Sequence, residues 1–113
     1  ICFSSVFDQT SVDMLEKLNT PAYKVSSFEL TDLPLLSYIG STKKPIILST
    51  GMGTLDEIKE AIETLVKSGT TNYCILKCTS SYPADPSDSN IVTIQEITPS
   101  LLFRFSENAS DFI

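Results

Sequence analysis

Pro45-Ile-Ile-Leu-Ser-Thr-Gly-Met-Gly-Thr-Leu-Asp-Glu57 is the stretch that decides the fold. Ile46 to Leu48 form a short apolar run of the kind found in strands buried on both faces, and the residues from Ser49 to Gly53 suit a turn. Thr54 and Glu57 stand at the spacing of a capping box, in which the Thr hydroxyl satisfies one orphan backbone N–H and the Glu carboxylate another. Leu55, Ile58, Ile62 and Leu65 continue as one apolar helical face, and Gly69 is placed to end it. The stretch therefore encodes strand, loop and helix in succession.

The same order recurs on either side. Extended segments are expected at Ile1–Ser4, Ala22–Ser26, Pro45–Ser49 and Tyr73–Cys78, starting roughly 20–30 residues apart, about the length of a βα unit. Thr10 or Ser11 is expected to open a helix carrying Val12, Leu15 and Leu18. Asn19-Thr20-Pro21 closes it, because the residue before a proline avoids helical geometry. Thr31 is expected to open another, with Pro34 in the first turn, where a missing N–H costs little. Repeated βα units predict an α/β protein built on a parallel sheet.

Composition narrows the class. A chain of 113 residues, 42% of them hydrophobic, is long enough for one globular domain and too short for two. No apolar run approaches the roughly 18 residues of a membrane span. The first residues lack the basic flank and long apolar stretch of a signal peptide, so a cytoplasmic location is the expectation. A net charge of -6 argues against nucleic acid or an anionic membrane as partner, since a phosphate polymer requires clustered Lys and Arg. Cys74 and Cys78, four apart in a strand, would lie roughly 13 Å from each other, too far for a disulfide. Together with Cys2 they are expected to be reduced packing residues. With no His and no paired CxxC, a zinc site is not expected. The chain begins at Ile1 rather than Met and opens on a strand-like run, which reads as a fragment.

In a parallel βα array the ligand lies at the carboxyl ends of the strands. Here those ends are Ser4-Ser5, Lys24-Val-Ser-Ser27 with Phe28-Glu29, Ser49-Thr50-Gly51, and Lys77-Cys-Thr-Ser80-Ser81-Tyr82. Hydroxyls and two lysines are expected to converge on one rim. That set suits a small anion, because hydroxyls and backbone N–H groups donate to its oxygens and a strand lysine supplies the countercharge. Ordinary turn chemistry is the alternative for each Ser and Thr taken singly, though less so for four successive strand ends. Lys77 has the alternative of snorkelling to solvent, and Glu29 that of capping a turn. Gly51-Met-Gly53 is a weak phosphate-loop signal by itself.

Three of these stretches carry a resemblance. Pro21-Ala-Tyr-Lys-Val-Ser-Ser-Phe-Glu-Leu30, Lys44-Pro-Ile-Ile-Leu-Ser-Thr-Gly-Met52 and Lys77-Cys-Thr-Ser-Ser-Tyr-Pro83 resemble, in order and spacing, consecutive core motifs of the sialic acid synthase family. Ser27-Phe-Glu-Leu-Thr-Asp-Leu-Pro34 and Lys77-Cys-Thr-Ser80 are most similar to its pseudaminic acid synthase branch. The resemblance covers Cys2 to Asn90. It implies a partial (β/α)8 barrel, about four consecutive βα units corresponding to the third to sixth strands. The implied reaction condenses phosphoenolpyruvate with an acetamido sugar to a nine-carbon sugar acid, with release of phosphate. In that family Lys24, Ser27, Ser49, Ser5 and Ser80 would hold phosphoenolpyruvate, Ser80 standing where some members have Asn. Glu29 and Tyr82 would lie near the acceptor sugar, with Lys24 and Glu29 serving catalysis. A divalent metal, usually Mn2+, polarises the sugar aldehyde in these enzymes, and the parent would be a homodimer.

The chain departs from the family in two respects. It has no His, so it cannot supply the two that hold the metal, and the isolated piece is expected to be inactive and poorly stable. Residues 1–97 are assigned to the partial barrel, whereas Thr98-Pro-Ser-Leu-Leu-Phe-Arg-Phe-Ser-Glu-Asn108 resembles nothing in the family. Residues 98–113 are therefore an unassigned tail, read as a truncated or frame-shifted gene product. A non-catalytic anion-binding or structural βα module remains as an alternative. So does another phosphoenolpyruvate-dependent barrel synthase, disfavoured because a sugar phosphate would need basic residues beyond Arg104.

Overall fold

The computed structural model describes residues 2–81 and 83–95. Tyr82, Arg104 and the tail at 98–113 lie outside the described residues. Strands β1 (Ser4–Ser5), β2 (Tyr23–Val25), β3 (Ile46–Ser49) and β4 (Tyr73–Leu76) alternate with helices α1 (Gln9–Lys17), α2 (Leu33–Ser41) and α3 (Leu55–Lys67), and a short 3-10 turn, Pro86–Ser89, follows β4. All pairings are parallel and the spatial order is β1-β2-β3-β4. An order that never reverses, with one helix in each connection, puts successive right-handed crossovers on the same face of the sheet. The alternative, a doubly wound sheet, would contain a reversal.

Burial follows from this winding. Tyr23, Val25, Ile46 and Leu48 point toward the helices and are at most 1% exposed. Val12 of α1, Leu35, Leu36 and Ile39 of α2, and Ile58, Ala61, Ile62 and Leu65 of α3 complete that core. The register pairs Ser5 with Lys24, Lys24 with Ile47 and Ile47 with Cys74, so these four side chains share the opposite face. No described helix covers that face, and Cys74 and Leu76 are exposed there. The cysteines are free as expected, yet Cys2 and Cys74 are exposed rather than packed. The periodicity of Tyr73 to Leu76 could not tell a helix-facing position from one on the open face.

The capping box forms as expected: the Glu57 N–H donates to Thr54 Oγ1 at 3.3 Å and the Thr54 N–H to Glu57 Oε2 at 2.7 Å. Pro34 sits in the first turn of α2, but the cap there is Asp32 rather than Thr31, accepting from the Leu35 N–H at 3.0 Å. In α1 the cap is Asp8 rather than Thr10 or Ser11, because its carboxylate collects the Ser11 N–H and both neighbouring hydroxyls. Both α1 and α3 end in the same device. Asn19 (φ 54°) and Gly69 (φ 110°) take the left-handed conformation, and the next residue, Thr20 or Thr70, donates back to Leu15 or Leu65. Leu18 and Leu55, expected on apolar faces, are exposed because each lies at a helix end beyond the packed stripe. The strands are shorter than expected at their ends, β1 beginning only at Ser4.

At the amino ends of the strands, Tyr23 donates its hydroxyl to Glu16 at 2.5 Å, and Lys44 pairs with the same carboxylate oxygen at 2.7 Å. This cluster ties α1 to β2 and to the residues leading into β3. In a wound βα array that end serves stability, which leaves the opposite rim for chemistry.

Candidate active site

Lys24 sits mid-strand on the open face, and its side chain reaches toward the carboxyl ends. Its ammonium donates to the Val25 carbonyl at 2.7 Å and to Ser49 Oγ at 2.6 Å. Two of its three protons are thereby used, and the third is free to meet a ligand. Burial holds the ammonium below the ordinary lysine range, while Cys78 and Glu29 pull the other way by favouring the charged form. An arriving anion would act in the same direction as those two groups.

The loops after β2, β3 and β4 meet at Gly51. Its N–H donates to Ser27 Oγ at 3.0 Å. A Cβ at this position would lie 2.6 Å from Ser80 Oγ, 3.0 Å from Ser27 Oγ and 3.4 Å from the Cys78 side chain, so the missing methyl group leaves room for the two hydroxyls to converge. Neither Ser27 nor Ser80 donates its hydroxyl to another described residue. Lys24, Ser27, Ser49 and Ser80 thus converge, and Ser5 stands beside Lys24 as its register partner. The assembly offers an ammonium and several unspent hydroxyl donors with the charge and donor chemistry of an anion site.

Glu29 accepts from the Ser26 hydroxyl through its carboxylate, and its own N–H donates to the Ser26 carbonyl at 3.3 Å. Tyr82 lies outside the described residues. Lys77 does not join Lys24: its ammonium donates to the Cys78 carbonyl at 3.4 Å. With Thr50, Leu55, Ile58, Cys78, Asn90 and Thr93 it lines a cavity of 260 Å³ against α3 that adjoins the Lys24 cluster through Cys78. Of the two lysines at the carboxyl rim, Lys24 makes the contact with Ser49 and Lys77 makes its own with the Cys78 carbonyl. Lys77 stands two residues beyond Ile75, which packs against the helix-side core.

Two participants were not singled out from sequence. Gly51 was weighed only as part of a loop motif, and Cys78 only as a packing residue, yet the Cys78 thiol donates to Ser49 Oγ at 3.3 Å. The available signal was alternation along the last strand, which puts Cys78 in phase with Cys74 and Leu76 on the open face.

Taken together, a singly wound parallel sheet with a lysine and several hydroxyls gathered at its carboxyl rim defines a βα-array protein. Comparison with known proteins makes the assignment specific. The model of the NeuB family matches residues 1–106, and the chain belongs to that family. It is 39% identical over 95 residues to pseudaminic acid synthase of Helicobacter pylori, covering 84% of this chain and 28% of that protein. It is 43% identical over 96 residues to N,N'-diacetyllegionaminic acid synthase of Campylobacter jejuni, covering 83% of this chain and 29% of that protein. Among solved structures, a spore coat polysaccharide biosynthesis protein of Bacillus subtilis superposes with a TM-score of 0.82 at 34% identity, over 93% of this chain and 28% of that one. The chain thus spans less than a third of the length of these relatives.

Proposed function

We propose that this chain is the phosphoenolpyruvate-holding part of a synthase that condenses phosphoenolpyruvate with an acetamido sugar, most like a pseudaminic acid synthase. The observation that carries this reading is the Lys24–Ser49 contact of 2.6 Å on the open face, with Ser27 and Ser80 gathered beside it at Gly51. Lys24 and the Ser5, Ser27, Ser49 and Ser80 hydroxyls hold the phosphate and carboxylate of phosphoenolpyruvate. Its methylene carbon bonds to the aldehyde carbon of the open-chain sugar, water adds to the cation left at the adjacent carbon, and phosphate then departs from that carbon. Preorganised donors of this kind act chiefly by stabilising charge as it develops. Glu29 and Tyr82 face the acceptor sugar in this scheme, and the four strands are the third to sixth of a (β/α)8 barrel in a homodimeric parent.

In this reading the metal of the family reaction is held by other parts of the parent protein. The chain has no His, and among the described residues no group of three His, Cys, Asp or Glu side chains could hold an ion. Phosphate release from phosphoenolpyruvate by the full-length protein, supplied with Mn2+ and a panel of acetamido sugars, tests the reading. Release dependent on one of these sugars is expected. A protein that binds phosphoenolpyruvate without releasing phosphate with any of them would instead be an anion-binding module.

A further inference from the structure

Ser49 has one hydroxyl proton and two lone pairs, and the residues around it determine how each is used. Lys24 fills one lone pair at 2.6 Å. The Cys78 thiol has a single proton and two acceptors within reach, Ser49 Oγ at 3.3 Å and the Leu76 carbonyl at 3.6 Å. The Leu76 carbonyl is already occupied. It accepts the Thr50 N–H at 3.1 Å and the Thr50 hydroxyl at 3.0 Å, which account for both of its lone pairs. The thiol proton is thereby directed to Ser49, the nearer acceptor.

With both lone pairs filled, the Ser49 hydroxyl can only donate. Its side chain is buried, and the one acceptor its proton could reach among the described residues is the weak one of the Cys78 sulfur itself, at 3.3 Å. A hydrogen bond to an anion is stronger than one to neutral sulfur, so an arriving carboxylate or phosphate oxygen takes this proton rather than Cys78.

We propose that Cys78 is a positioning residue that, backed by Thr50 at the Leu76 carbonyl, fixes the Ser49 hydroxyl as a donor aimed at the phosphoenolpyruvate anion. The inference rests on the reading of this rim as a phosphoenolpyruvate site. Cys78 touches no reacting atom; it acts through Ser49 alone. Serine in its place keeps a donor at the same position, whereas alanine removes it and lets the Ser49 proton rotate.

Calorimetric titration of phosphoenolpyruvate into the full-length protein tests this, with thermal midpoints recorded for every variant. Cys78→Ala is expected to raise Kd about three- to tenfold, the range of one neutral hydrogen bond, while Cys78→Ser stays within about twofold. Ser49→Ala should weaken binding, and adding Cys78→Ala to it should change nothing further, because the two act as one unit. A purely structural cysteine would lower the thermal midpoint and weaken binding additively with Ser49→Ala. That additivity, or wild-type affinity in Cys78→Ala beside weakened Ser49→Ala, overturns the role of Cys78 and leaves the phosphoenolpyruvate reading standing. A wild-type protein that does not bind phosphoenolpyruvate overturns both. Should Cys78→Ala fail to fold, Cys78→Ser decides: retained affinity supports the proposal, and a loss beyond about fivefold contradicts it.

Discussion

Gly51 shows how much of the site depends on one missing methyl group. A Cβ there would crowd two hydroxyl tips and the Cys78 side chain, none of which is rigid backbone. Gly51→Ala should therefore fold, with a thermal midpoint within a few degrees of wild type, while Ser80 and Ser27 rotate away. Misplacing binding groups by this amount should weaken phosphoenolpyruvate binding roughly ten- to a hundredfold. An unchanged Kd would show that these hydroxyls do not contact the anion. Individual site residues were only partly legible in the sequence. Lys24 stood out as a charge within a small, apolar strand, but its partner Ser49 lies 25 residues away. Only the register of β2 and β3 brings them together. The contact of the Cys78 thiol with Ser49 was hidden for the same reason, since it spans 29 residues.

At the level of elements, local signals were read well where one residue dominated and poorly where several competed. Thr54 and Glu57 form the expected box, whereas Asp8, Thr10 and Ser11 all suit a cap, and only the structure shows Asp8 holding the other two. The cluster of Glu16, Tyr23 and Lys44 was invisible locally because it joins α1, β2 and the loop before β3. Burial acts to raise the Glu16 carboxyl, but hydrogen bonds from Lys44 and Tyr23, with the Lys44 charge, outweigh it and hold the group below its ordinary value of 4.5. A carboxyl lowered in the folded state contributes stability above its unfolded value, and that contribution is lost as pH falls through the folded one. Because Lys44 and Glu16 are 26% and 39% exposed, the pair should contribute no more than about 1 kcal/mol. Glu16→Gln in the full-length protein is expected to lower the thermal midpoint at neutral pH and to bring it closer to wild type below about pH 4. A difference that does not narrow in acid would show that the charge is immaterial.

On the scale of the whole molecule, the described helices cover the sheet on one face only. The helix-side core is closed, while β1 and β4 leave their outer edges unpaired within the described sheet and Leu76 is 38% exposed on the other face. Unpaired parallel edges are a liability in an isolated chain. We assign them to the remaining strands of the parent barrel, in keeping with a chain that spans 28% of its Helicobacter pylori relative. The winding itself was legible, because three successive βα units followed by a fourth strand specify a parallel sheet. Which face each strand residue takes was not, because strands of three or four residues carry too little alternation. The central claim is that Lys24 supplies the countercharge for phosphoenolpyruvate. Its most direct test is steady-state phosphate release by full-length Lys24→Ala. Loss of a preorganised electrostatic contact predicts turnover lower by about a hundredfold or more. Turnover near wild type would contradict the account.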